Sequence, residues 1–101
     1  RYFLTAERFG ADEAHRLGLV HQVTDADGLD AAVSALCGHL LKGGPVALGS
    51  AKDLIFAVSD RPVDDAVVED TARRIAAQRA GAEGREGVAA FLEKRPPSWI
   101  A

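Results

Sequence analysis

Gly43-Gly44-Pro45 separates two runs whose apolar residues recur every three or four positions, and that spacing commits the chain to a succession of helices. Upstream, Leu29, Val33, Leu36, Cys37, Leu40 and Leu41 form one apolar stripe, which predicts a helix from about Leu29 to Lys42. The glycine pair ends it, and Lys42 lies in the last turn, where the helix dipole favours a cation. Pro45 opens the next helix at no cost in hydrogen bonds, because the N–H of a first helical residue is free anyway. Ala47, Leu48, Ala51, Leu54, Ile55 and Val58 make the second stripe, and Asp60-Arg61-Pro62 breaks it. A third long helix is expected over Val63–Ala80, with Val63, Ala66, Val67, Ile75 and Ala76 apolar. Its thin, alanine-rich stripe suits packing on a neighbouring subunit as well as on its own core. Residues Gly81 to Gly84 read as a turn, and Glu83–Lys94 as a last helix whose apolar face is Val88, Phe91 and Leu92. Pro96-Pro97 stops it, since neither proline donates to the ladder. Ser98-Trp99-Ile100 is an apolar tail expected to dock.

The N-terminal part follows different signals. Residues 1–5 fit the end of a helix presenting Tyr2, Phe3 and Leu4, which suggests a chain that starts inside a larger protein. Phe9 to Val23 then reads as helix, stop and strand. Asp12 and Glu13 suit a first turn, and Gly18 suits a left-handed C-terminal residue. Leu19 to Val23 is expected to be a short extended strand. Thr24 to Gly28 is a polar turn in which Asp25 or Asp27 can accept from free N–H groups at the next helix start.

The 101 residues allow one small domain, and a hydrophobic share of 48% allows a core. A net charge of -3 argues against a general nucleic-acid binder, although residues 73–95 are locally basic. Cys37, the single cysteine, excludes an internal disulfide and a cysteine-based zinc site, and is expected to pack as a small apolar residue. No apolar run is long enough to span a bilayer, and a cytoplasmic location is the expectation.

No catalytic constellation is complete. His15, His21 and His39 fall on separate elements without ligand spacing, and the serines lack a nucleophile-elbow context. Asp64-Asp65 with Glu69-Asp70 is an acidic run that a helix N-terminus explains by itself. Phe91 and Lys94, three apart on the last helix, are the one spacing that suggests a ligand. An aromatic face beside an ammonium suits a purine ring and a phosphate, with Arg95 adding charge. The opposing reading places Phe91 in the core and Lys94 in solvent.

Three blocks in order carry a resemblance. They are Thr5 to Ala14 with Leu17-Gly18-Leu19-Val20 and Val23, then Pro45-Val46-Ala47-Leu48 with Ala51-Lys52, and then Glu86-Gly87, Ala90-Phe91 and Glu93-Lys94-Arg95-Pro96. Together they resemble the crotonase (enoyl-CoA hydratase/isomerase) superfamily, bacterial enoyl-CoA hydratases most of all. Ala6 stands where that pattern has a glycine, and Gly81-Ala82 where it has a serine cap.

The resemblance implies a mainly α fold, the C-terminal helical segment of the crotonase α/β spiral, with about five helices and one short strand. Residues 1–23 would be the joint to a catalytic domain, and residues 24–101 a helical domain for oligomerisation and for covering CoA. It implies an acyl-CoA substrate, no further cofactor, no metal, and self-association as a trimer or a dimer of trimers. None of the chain's glutamates matches a catalytic position, so the segment is expected to be inactive alone. Phe91 and Lys94 match positions that contact the CoA nucleotide. The alternatives are another crotonase-type reaction such as isomerisation, a non-catalytic helical self-association module, and a helix-turn-helix, which the charge and the strand-like LVHQV oppose.

Overall fold

The computed structural model describes residues 1–100, and in them six helices follow one another. They are α1 (Tyr2–Thr5), α2 (Ala11–Arg16), α3 (Leu29–Leu41), α4 (Pro45–Val58), α5 (Asp65–Ala80) and α6 (Ala82–Glu93). Two compact units result, Arg1–Ala35 and Leu36–Ala101.

In the first unit, α1 ends on Ala6 at φ 54°, a left-handed residue where glycine would be the easy choice. Tyr2 rests against Phe9 with ring centroids 4.4 Å apart, and its hydroxyl donates to Glu13 at 2.8 Å. Glu13 also receives both Arg16 Nε and Nη2 at 2.6 Å. These donors, Arg16 first and Tyr2 second, lower the Glu13 carboxyl to about 2, and the same hydrogen bond raises the Tyr2 phenol. Gly18 closes α2 as expected, at φ 76°. Its N–H donates to His15 at 3.0 Å and the Leu19 N–H reaches back to Ala14 at 2.9 Å, the paired bonds of a Schellman cap.

The strand expected at Leu19 to Val23 does not form; no residue there is in a strand, and Leu19 is 63% exposed. A strand is completed by the ladder of a neighbour, and among the described residues there is no strand to supply one. Cys37 is likewise exposed rather than packed, together with Leu36, Leu40 and Leu41 of the same stripe. A stripe is buried only where an opposing layer covers it.

In the second unit, α5 packs on α4 and on α6, and α4 also touches α6. Helix α5 begins at Asp65 rather than Val63, and Asp64 caps it: the Asp64 carboxylate accepts from the Val67 N–H at 2.9 Å. That bond accounts for the start of the acidic run, as the dipole argument expected. One residue, Gly81, serves as C-cap of α5 and N-cap of α6, so the turn expected over Gly81–Gly84 shrinks to a single joint. Among the described residues the buried apolar side chains are only Val67 and Ala90.

The start of α4 is completed from outside the helix. Gly44 offers no capping side chain and Pro45 has no N–H. The Glu83 carboxylate, on α6, accepts from the Val46 N–H at 2.8 Å and the Ala47 N–H at 2.7 Å.

Candidate functional site

The C-terminal end of α6 and the tail after it form the candidate site. Ala90 is the inward residue of this turn, 1% exposed. Phe91 and Leu92 follow it around the helix and face outward; Phe91 is 82% exposed. The face expected from Val88, Phe91 and Leu92 is therefore not the packed one. The packed side carries Ala90 and Gly87, small residues that admit close neighbours, and a Cβ on Gly87 would stand 3.1 Å from the Trp99 ring. Of the opposing reading, Lys94 is in solvent as stated, whereas Phe91 is exposed rather than packed among the described residues.

The helix stops at Glu93, one residue earlier than expected, and Lys94 adopts φ 56° and ψ 37°. Its N–H donates to the Phe91 carbonyl at 3.2 Å, and the Arg95 N–H reaches the Ala90 carbonyl at 3.0 Å. This is the same cap that Gly18 makes, built here on a lysine. Phe91 and Lys94 are thus joined by a backbone bond across the cap, with both side chains in solvent.

Arg95 does not lend its charge to this pair. Its Nη1 and Nη2 grip the two oxygens of Glu86 at 2.6 and 3.0 Å, and its Nε meets Glu93 at 2.6 Å. Glu86 also accepts from the Ser98 N–H at 2.8 Å. The Arg95 guanidinium, with that N–H second, lowers the Glu86 carboxyl to about 2, and the two carboxylates raise the Arg95 pKa in return. The tail is tied down beyond the clasp, where Trp99 Nε1 donates to the Lys42 carbonyl at 3.2 Å. The expected docking of the tail is what the structure shows.

This clasp has a pH signature. A carboxyl lowered in the folded state stabilises fully above its unfolded value of 4.5, and that stability is lost as pH falls through about 2. Trp99 is the single tryptophan, so its fluorescence reports the tail. We expect its emission to hold from neutral pH to about pH 4 and to shift toward that of a solvated indole below it. A Glu86→Gln variant should lose that acid transition, and an unchanged acid curve in the variant would refute the assignment.

The other candidates stay apart. His15, His21 and His39 are exposed, and no group of three His, Cys, Asp or Glu side chains that could hold a metal occurs among the described residues. Between α4 and α5 lies an open cleft of about 230 Å³ lined mainly by Ala47, Ala51, Leu54 and Ile75. Ser50 at its edge donates its hydroxyl to Gln78 Oε1 at 3.0 Å, an amide with no power to act as its base.

The sequence reading missed the Glu86–Arg95 clasp and the Glu83 cap. Nine residues separate the first pair across a helix end, and 36 or 37 separate Glu83 from the N–H groups it receives. Neither spacing is a helical repeat. The signal available for the first pair was the co-occurrence of Glu86-Gly87 and Glu93-Lys94-Arg95 in one recognisable block.

A family model described as enoyl-CoA hydratase/isomerase matches residues 1–101. A probable enoyl-CoA hydratase of Rhodobacter capsulatus is 35% identical over 94 residues, which is 93% of this chain and 36% of that protein. A carnitinyl-CoA dehydratase of Salmonella typhi is 28% identical over 99 residues, covering 95% of this chain and 38% of its own length. Among solved structures, an enoyl-CoA hydratase from Shewanella pealeana superposes with a TM-score of 0.92 at 40% identity. That match covers 98% of this chain and 37% of the other. The chain spans little more than a third of the length of these relatives.

Proposed function

The chain belongs to the enoyl-CoA hydratase/isomerase family, and from that premise we propose that it is the self-associating, CoA-covering helical part of an enoyl-CoA hydratase. In the complete reaction water adds across the Cα=Cβ bond of an enoyl-CoA, through an enolate stabilised by backbone N–H donors and served by a carboxylate acid–base. None of Glu7, Glu13, Glu69, Glu83, Glu86 and Glu93 is assigned that acid–base role. Glu13, Glu83 and Glu86 are each held by hydrogen bonds from neighbouring donors. The part assigned here is to hold the nucleotide end of the substrate, with Phe91 against the purine and Lys94 on a phosphate. Residues 24–101 would form the oligomerising, CoA-covering portion and residues 1–23 the joint to the catalytic portion. The assembly would be a trimer or a dimer of trimers acting in the cytoplasm.

The observation that carries this reading is an exposed aromatic, Phe91, bonded through its backbone to a left-handed lysine. Phe91 offers its ring to solvent, and Lys94 holds a left-handed conformation, as Ala6 and Asp60 also do, with a cationic side chain free at that position. Ile55, Phe56 and Ile75 are also exposed, which supports a second surface being seated on these helices. Isomerisation of the enoyl double bond is the second reading, favoured by a family description that spans both reactions.

Titration with coenzyme A tests the assignment. Lys94→Ala is expected to weaken binding about tenfold, the scale of one charge-assisted phosphate contact. Light scattering on the same sample should show assemblies larger than the monomer. Equal affinity in the variant rejects the nucleotide contact, and a monomer at micromolar concentration rejects the self-association.

A further inference from the structure

We propose that Glu86 and Arg95 are positioning residues for the ligand pair, holding Lys94 in its left-handed conformation so that its ammonium and Phe91 serve one phosphate-bearing nucleotide. This rests on the nucleotide reading of Phe91 and Lys94 given above.

The chain makes one cap geometry twice. At Gly18 the left-handed residue is glycine, which adopts φ 76° without a Cβ penalty. At Lys94 the same pair of bonds is made at φ 56° with a full side chain, a conformation that disfavours any residue other than glycine. Such a conformation persists where the surroundings over-determine it. Here the surroundings are on the next residue. Arg95 donates its backbone N–H to Ala90, and its side chain is held by Glu86 through a bidentate pair and by Glu93 at 2.6 Å. A guanidinium forked onto a carboxylate fixes direction as well as distance. The anchor for Glu86 is α6 itself, one residue before Gly87, over which the Trp99 ring is seated.

The clasp also sorts the charges. Arg95 is neutralised by two carboxylates, whereas Lys94 makes no ion pair among the described residues. Of two adjacent cations, the rigid one is consumed in structure and the other is left to a ligand. The backbone of residue 94 is set by the clasp, so the lysine stem starts from one direction and loses less freedom when it meets a phosphate.

The test compares coenzyme A with pantetheine, which lacks the nucleotide, across four variants of the chain. Glu86→Ala and Arg95→Lys should each weaken coenzyme A about five- to tenfold, approaching Lys94→Ala, and leave pantetheine unchanged. Arg95→Lys retains the charge and the fold while losing the fork, so it guards against a result caused by unfolding. Glu83→Ala disturbs α6 at its other end and should leave coenzyme A affinity per folded molecule unchanged. If Lys94→Ala weakens binding while Glu86→Ala and Arg95→Lys bind like the wild type, the positioning role is overturned and the nucleotide reading stands. If Lys94→Ala itself has no effect, the nucleotide reading fails and this inference falls with it. Equal losses for coenzyme A and pantetheine would show a general structural effect and also overturn positioning.

Discussion

Gly84→Ala is expected to lower the melting temperature by roughly 10 °C, the equivalent of about 2 kcal/mol for a domain of this size. Gly84 lies in the first turn of α6, directly after the one-residue joint at Gly81. A Cβ placed there runs into the Gln78 carbonyl oxygen and comes within 3.0 Å of Arg79 Cα and the Arg79 carbonyl oxygen. All three are backbone atoms of the last turn of α5 and cannot swing aside as a side chain can. The relief available is to lever α6 away from α5. That movement would open the packing of α6 on α5 and expose Ala90, the most buried apolar residue of α6. Gly49→Ala is the matched control. It lies inside α4 with nothing within 4 Å of a new Cβ, so alanine there should be neutral or stabilising by about 0.5–1 kcal/mol through helix propensity. Thermal melts of the two variants followed by circular dichroism decide the matter, and a Gly84→Ala melt within about 2 °C of the wild type would sink the close-approach argument.

That contrast shows where the sequence was legible. Breakers and apolar spacing located α3, α4 and α5 because those signals act within one or two turns. Pro45 sits at the first residue of α4 and Ala80 at the last residue of α5, where the pattern placed them. What the pattern could not show is which side of a stripe meets another layer. Val88, Phe91 and Leu92 read as a buried face because they are large and apolar, yet the buried residue is Ala90. Close helix approach selects small side chains, and a small side chain leaves little trace in an apolar pattern. The strand at Leu19 to Val23 failed for the same reason in another form: its residues have strand character, but strand formation is a property of a pair. At the candidate site, residue identity was legible and geometry was not. Phe91 and Lys94 have the spacing of neighbours on a regular helix, whereas Lys94 is a left-handed cap outside it. Arg95 reads as free charge in the sequence because its partner Glu86 lies nine residues back, on the other side of the helix end.

Glu83→Ala is expected to destabilise the chain by about 1–2 kcal/mol, a fall of roughly 5–10 °C in melting temperature. Every α-helix begins with N–H groups that have no partner in the helix. In α4, Gly44 brings no side chain and Pro45 brings no N–H, so the unsatisfied donors are those of Val46 and Ala47. Both are taken by one carboxylate from α6, at 2.8 and 2.7 Å. Gln78 Nε2 donates at 3.4 Å to Glu83 Oε1, the oxygen that also receives the Ala47 N–H. A negative charge there also meets the positive end of the α4 dipole. Alanine removes the acceptor and leaves both donors to water, so what is lost is the cap and its charge at the helix start. Glutamine keeps one oxygen but replaces the other with a donor, so Glu83→Gln should fall between wild type and alanine. Amide exchange sharpens the test: protection at Val46 and Ala47 should drop in Glu83→Ala far more than protection in the middle of α4. Uniform loss along α4, or none, would remove Glu83 as the cap. Because the partners are 36 and 37 residues apart, α4 gains its first turn in full only once α6 is seated, which makes helix start and bundle assembly a single event.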